Sequence, residues 1–409
     1  TLGSVSFASS FKDMHDNYTK YSVAQQEAIG KQAENISKVA TARNSFIISP
    51  RENSVIADCK ESYLPNRITY SAYNVFDYSV RHDSNNPLLI RTDSLSWSFI
   101  VSMFLSFITL LFAFDAISGE KEERTLALVF SNAVPRRTFL CSKLLSIITV
   151  IGVMELVGII ISLIILAVSG QVQLNSSFLI ETAGFILISL LFITTFAVFG
   201  LLSSVVTRYS NISLLISLCF WLFAAVVIPN TSVFWAKTLF SIPTSDEVAQ
   251  KRQEASNDIN RNAPEGSWSS NGMDAFYPRH ELRARNQSNL MNSDKKYNDA
   301  YYLQQFPQFE QTRNLTLLSP IAQFDYMNDA FLGGGYLRFP KNWNDLHAFQ
   351  ERFLQWFKDI DANDSGSPHW YNPYEDYSTS KKPVAVDQIP QYQEQIASFG
   401  QRIEFIGGY

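Results

Sequence analysis

The chain has 409 residues, of which 46% are hydrophobic and 17% charged, with a net charge of -5. That balance excludes a nucleic-acid partner, which needs clustered Lys and Arg. The cysteines, Cys59, Cys141 and Cys219, are too scattered for a disulfide framework or a metal cluster.

The averages hide two unlike materials, polar flanks and an apolar middle. The chain starts at Thr1, without Met or a signal peptide, so the translated product is expected to be longer. Residues 1–45 hold no Pro and carry Ile29, Ala33, Ile36 and Ala40 at helical intervals. This predicts a long polar helix or hairpin whose weak apolar face packs on something, a partner subunit included. Residues 46–92 are turn-rich, with strand candidates at 45–48 and 68–73.

Four long apolar runs follow, at about 95–114, 143–168, 180–206 and 212–228. The first has about 20 uncharged residues, which at about 1.5 Å each match a hydrocarbon core about 30 Å thick. Four such runs exceed what soluble helices need. The fourth is expected to end at Pro229. The loop between the first two holds Lys121, Arg124, Arg136, Arg137 and Lys143, and the third loop holds Arg208, whereas 169–179 holds neither Lys nor Arg. By the positive-inside rule 115–142 and 207–211 face the cytoplasm, and both flanks, 1–94 and 229–409, lie outside. Trp97 and Trp235 suit interfacial anchors or packing on the flanks. Glu181 lies near the outer boundary, within reach of headgroups. Glu155 is the one charge inside the second run and must face the bundle interior, a cavity or a partner. It is either a residue of an intramembrane pathway or a hydrogen-bonded bridge between helices.

The inner loop 115–142 joins charge to an apolar edge. Residues 117–130 have helical character, Glu120 and Arg124 are spaced to pair across a turn, and Leu126, Val129 and Phe130 line one side. A short amphipathic helix on the cytoplasmic membrane face satisfies both tendencies and offers a docking surface, and a plain positive-inside loop is the alternative.

Downstream, 245–315 is polar, with a loop expected at 266–272. Ser319 and Pro320 start a helix as N-cap and first helical residue. Ile321, Phe324, Met327 and Phe331 share a face, and 333–335 is a Gly stop. A second amphipathic helix covers 343–360, with its stripe through Leu346, Phe349, Phe353, Trp356 and Ile360.

The loop residues Gly119, Glu120, Lys121 and Glu122, then Thr125 and Leu126, Ser131 and Asn132, Val134, Pro135 and Arg136, and finally Lys143, resemble the first cytoplasmic loop of ABC-2 type transporter permeases. Arg124 and Ala133 depart from that pattern, standing where Gly and Pro are common. The segments from Leu318 to 335 and around Ile389 and Pro390 are similar to the large extracytoplasmic domain of one ABC-2 subgroup. The resemblance implies an α-helical polytopic membrane protein of the bacterial inner membrane, with four spans here, six in the intact protein, and two mainly helical extracytoplasmic regions. It implies that Glu120, Lys121, Glu122, Thr125, Leu126, Pro135 and Arg136 couple the chain to a cytoplasmic ABC ATPase, where ATP-Mg binds. A second permease copy or a related permease, and the lipid bilayer, complete the expected partners.

No G-x-x-x-x-G-K-[ST] loop occurs, since Gly30 and Lys31 are followed by Gln32, and neither H-E-x-x-H nor G-x-S-x-G is present. No cofactor is expected on this chain itself. The five His, among them His280, His347 and His369, are scattered. The expected function is therefore a non-catalytic exporter subunit. A non-transporting mechanical transmitter or scaffold acting on envelope proteins is the alternative. A membrane sensor is disfavoured, because no inner loop could hold a signalling domain.

Overall fold

The computed structural model describes residues 2–57, 65–79, 96–131, 134–170, 172–264, 276–335, 338–374 and 382–406. Cys59, Asn132, Ala133 and the loop expected at 266–272 lie outside these residues.

The Pro-free N-terminus forms α1 (Leu2–Gln32), and α2 (Ile36–Thr41) restarts after Asn35, whose side chain accepts from the Ser37 N–H at 2.9 Å. An antiparallel sheet follows, in the order β1 (Asn44–Ile47), β2 (Arg67–Tyr70), β3 (Asp77–Ser79), with Ser45 opposite Thr69 and Ile68 opposite Tyr78. The third strand, Asp-Tyr-Ser, was not foreseen, because three residues carry no readable alternation. The stripe of α1 and α2 packs within this chain. Ile29, Ala33, Ile36, Ile68 and Tyr70 share a core with Leu346, Phe349 and Phe353 of α14 (Arg338–Asp361). The two flanks of the sequence thus meet in one body.

Four helices are long and apolar enough to cross a membrane, namely Trp97–Glu122, Arg136–Ser169, Ser176–Val206 and Ser210–Leu239. The first contains α3 (Trp97–Phe99), a π-helical stretch (Ile100–Leu105), α4 (Ser106–Ala113) and, past a turn, α5 (Ser118–Glu122). After α6 (Leu126–Ser131) come α7 (Arg136–Ser169) and α8 (Ser176–Val206). Gly170, at φ 64°, caps the end of α7, and Asn175 opens α8 by accepting from the Phe178 N–H at 2.8 Å. Leu145, Val153, Ile160, Leu187, Leu191 and Leu215 stay exposed, as lipid-facing side chains would.

The fourth helix does not stop at Pro229. It passes from α9 (Ser210–Leu222) through a π-helical turn (Phe223–Val227) into α10 (Ile228–Leu239). In the π register the Ile228 N–H reaches the Phe223 carbonyl. The next carbonyl, that of Ala224, would need an N–H at residue 229, which Pro lacks. The Ser319 hydroxyl donates to it instead, at 2.7 Å. A residue that reads as a stop is accommodated because another helix supplies the missing donor.

The polar stretch 245–315 proves to be two helices, α11 (Ser245–Arg261) and α12 (Phe276–Thr316). Thr244 and Glu247 form a capping box on α11. The 41 residues of α12 span about 60 Å and continue through Pro307. Next comes α13 (Pro320–Leu332), with the Ser319 cap and the left-handed Gly333 stop that the sequence predicts. The last described element is α15 (Phe399–Ile406).

Candidate functional site

At one end of the bundle the loop after α4 is bound to the loop between α8 and α9. The Ser204 hydroxyl accepts from the backbone N–H groups of Ile117 and Ser118, at 2.9 and 2.8 Å. Lys121 donates to the carbonyls of Ser204 (3.1 Å), Val205 and Thr207 (2.9 Å). Those are the last carbonyls of α8, where helix geometry leaves acceptors without donors and the dipole favours a cation. Glu122 accepts from the Ser210 N–H at 3.1 Å, the complementary arrangement at the N-terminus of α9. The Ser210 hydroxyl donates to Asp115.

The expected continuous helix over 117–130 is absent. Arg124, with φ 62°, breaks it into α5 and α6. The Glu120–Arg124 pair does not form. Glu120 instead bonds Lys143 of α7 at 2.6 Å. Glu120, Lys121 and Glu122 therefore hold the loop to the bundle, and the Thr125 hydroxyl donates to the Glu120 carbonyl at 3.3 Å. Leu126, Val129 and Phe130 of α6 are half-buried against the bundle, with Phe130 edge-on to Phe139 at 5.5 Å. The opposite face of α6 shows Leu128, which is 68% exposed, beside exposed Glu123 and Arg124. Pro135 and Arg136 are exposed at the start of α7.

From this end α8 runs as the central post. A Cβ at Gly200 would lie 2.5 Å from that of Ala113, so Gly permits the close α4–α8 seam. Ser203 joins Ser213 and Ser217 of α9 at 3.0 and 2.8 Å. Glu155 of α7 is 5% exposed and accepts from the Ser189 hydroxyl of α8, while its Oε2 has no hydrogen-bond partner among the described residues. Trp97 is no interfacial anchor, since it is buried and donates to Ser162 at 2.9 Å, whereas Trp235 is exposed on α10.

At the other end α13 is wedged among the membrane helices. Phe324 stacks on Phe192 at 4.4 Å, 16 residues after Ser176 at the start of α8. Phe331 lies against Gly184, where any side chain would collide with its ring. Ser98 of α3 donates to Asp325 at 3.2 Å. Glu181 does not face headgroups; it pairs with Arg402 of α15 at 2.7 Å and accepts from Asn53 at 3.0 Å. No local pattern announces this clasp, because its members come from three distant segments. Among the described residues no group of three or more His, Cys, Asp or Glu is placed to hold a metal ion.

Long apolar helices around a central post define a multi-pass α-helical membrane protein. A family model described as ABC-2 family transporter protein matches residues 4–348. The chain belongs to that family, whose members are generally non-catalytic permease subunits of ABC transporters that partner an ABC ATPase. No curated protein and no solved structure matches it.

Proposed function

We propose that this chain is the permease subunit of an ATP-driven exporter, with 115–142 as the coupling element that receives motion from a separate cytoplasmic ATPase holding ATP-Mg. The observation that carries the reading is the grip of Lys121 on three carbonyls at the end of α8. A push on the loop is handed to the central post, and through Glu122 and Lys143 to α9 and α7. The charge bias of the loops supports placing this end in the cytoplasm and both flanks outside, in a bacterial inner membrane.

In this reading Glu120, Lys121, Glu122 and Thr125 fix the element and transmit its motion. Leu126 seats α6 on the bundle, Pro135 and Arg136 lead into α7, and exposed Leu128, Glu123 and Arg124 meet the ATPase. Glu155 enters as the pathway residue, on its unpartnered oxygen in a buried seam. A second permease copy or a related permease completes the path.

The test is affinity purification in mild detergent. The ATPase is expected to co-purify with the native chain and to be lost with Leu128→Asp, a change on an exposed side chain. Absence of any co-purifying ATPase, or undiminished capture by Leu128→Asp, counts against the reading. The second reading, a non-transporting transmitter, is favoured by the tight α4–α8 seam at Gly200 and by the direct seat of α13 on α8. Retained ATPase capture with no export substrate in reconstituted vesicles would favour it.

A further inference from the structure

Between α1, the edge strand β1 and residues 391–393 lies a cleft of about 210 Å³. Its lining contains no Lys, Arg, Asp or Glu, although 17% of the chain is charged. Four tyrosines and four glutamines dominate it. The rings of Tyr18 and Tyr21 rise from α1, and that of Tyr392 comes from the facing segment. The carboxamides of Gln25, Gln26, Gln391 and Gln393 make no side-chain hydrogen bond among the described residues.

That chemistry narrows the occupant. A charged ligand would lose hydration and meet no charge in the lining itself. Arg67, beside the cleft, is already engaged, since it donates to the Ser45 hydroxyl at 3.2 Å and lies over the Tyr21 ring, 5.8 Å from its centroid. A wholly apolar ligand would cover the carboxamides without satisfying them. Each carboxamide offers two donors and an acceptor, the set that matches neighbouring hydroxyls. Tyrosine rings supply flat apolar faces with a polar rim. A ligand with hydroxyls at its edge and C–H groups on its faces meets both demands. The volume is below the roughly 300–1,000 Å³ of clefts for drug-sized ligands, so it suits a single sugar ring.

The walls are set without a ligand. Phe46 holds the Tyr392 ring edge-on at 4.6 Å, and Phe349 meets the rings of Tyr70 and Tyr392 edge-on at 5.5 and 5.6 Å. The Arg338–Glu394 ion pair pins the same segment two residues on, at 2.6 Å. A preformed cleft spends little affinity on ordering itself.

We propose that this cleft binds a neutral saccharide, one ring lying against the tyrosines and its hydroxyls bonded by the glutamine carboxamides. Strand addition by an extended peptide at β1 is the competing use of the place, but β1 offers only four residues of free edge. The inference depends on neither membrane orientation nor an ATPase, so its failure leaves the transport reading untouched, and the reverse holds as well.

The test is titration calorimetry of the full chain in nanodiscs. The probes are maltotriose, cellotriose and chitotriose, with trigalacturonate as the acidic comparator and a seven-residue Thr-Val peptide as the strand probe. At least one neutral trisaccharide is expected to bind. Tyr21→Ala and Gln393→Ala should each weaken it about tenfold or more, and Gln253→Ala, on α11, should leave it unchanged. Gln393 is exposed, so its variant folds even if Tyr21→Ala does not. Any of four results overturns the proposal: no neutral probe binds, both cleft variants bind as well as the native chain, trigalacturonate binds equally, or only the peptide binds.

Discussion

Two carboxylates at similar burial are treated in opposite ways by their surroundings. Glu155 receives one hydroxyl from Ser189 and keeps a bare oxygen in an apolar seam. Such a group is retained at a cost, which is why it is read as part of the pathway. Glu155→Gln keeps an acceptor for Ser189 and removes the ionisable group. It should fold normally and cut export about tenfold or more; export at the native rate would assign Glu155 to a helix–helix bridge. Glu394 is fully served. Burial on its own raises its pKa, but the bonds from Arg338, the bond from Asn342 and the charge of Arg51 outweigh it and hold the carboxyl below the ordinary range. With a depressed folded pKa, the stabilisation is complete above about pH 4.3, the ordinary Glu value, and is lost as pH falls through the lower folded value. Melting followed by circular dichroism should therefore show a steep loss of stability below that pH. Glu394→Gln should flatten the acid slope and cost about 3 kcal/mol at pH 7, because it strands Arg338 in a buried site. An unchanged acid slope in the variant would refute the assignment. Of these two, only Glu155 is legible in sequence, as the lone charge in an apolar run. The Arg338–Glu394 pair joins residues 56 apart along the chain, and no local pattern announces it.

Among the elements, legibility followed the strength of the hydrophobic period. The four long runs and the stripe of α14 are strong signals, and all five appear as helices. Both α11 and α12 went unread because their composition is polar all round; they are held by packing on each other and by contacts such as Gln308 to the Phe240 carbonyl. The loop at 115–142 was half legible. Its apolar edge at Leu126, Val129 and Phe130 was right, but the break at Arg124 depends on a left-handed backbone that the Glu-Lys-Glu-Glu-Arg sequence does not announce. Nor does it announce the bonds of its charged residues, Lys121 to the end of α8, Glu122 to the start of α9 and Glu120 to Lys143 of α7. Those bonds make a prediction at this scale. Lys121→Ala leaves three carbonyls without their cation and should cost about 1–2 kcal/mol. ATPase capture should persist, since Leu128 is untouched, while export falls out of proportion to the loss in melting temperature. Loss of export that merely tracks stability would mean that Lys121 is a fastening and not a link in transmission.

Taken whole, the molecule closes on itself in a way that chain order conceals. Residues from both polar flanks build one body, because Ile29 and Ile36 share a core with Phe349 and Phe353. That body is anchored to the bundle by α13, whose seat is prepared at three places. Gly184 makes room for Phe331, Ala224 offers its freed carbonyl to Ser319, and Ser98 donates to Asp325. The π-helical stretches in the first and fourth helices lie where α13 touches them, and such departures mark points where a helix can change register. If motion entering at the inner loop travels along α8, α13 must shift against α3 during each cycle. Ser98→Cys with Asp325→Cys, in a chain with Cys59, Cys141 and Cys219 replaced by Ser, places two thiols where a hydroxyl and a carboxylate now meet. Oxidation should join them, stop export and leave ATPase capture intact, and reduction should restore export. Full export by the cross-linked protein would show that α13 stays seated throughout the cycle. The body built by the two flanks would then be a fixed cover on the bundle, and the path for substrate would have to open elsewhere along α8.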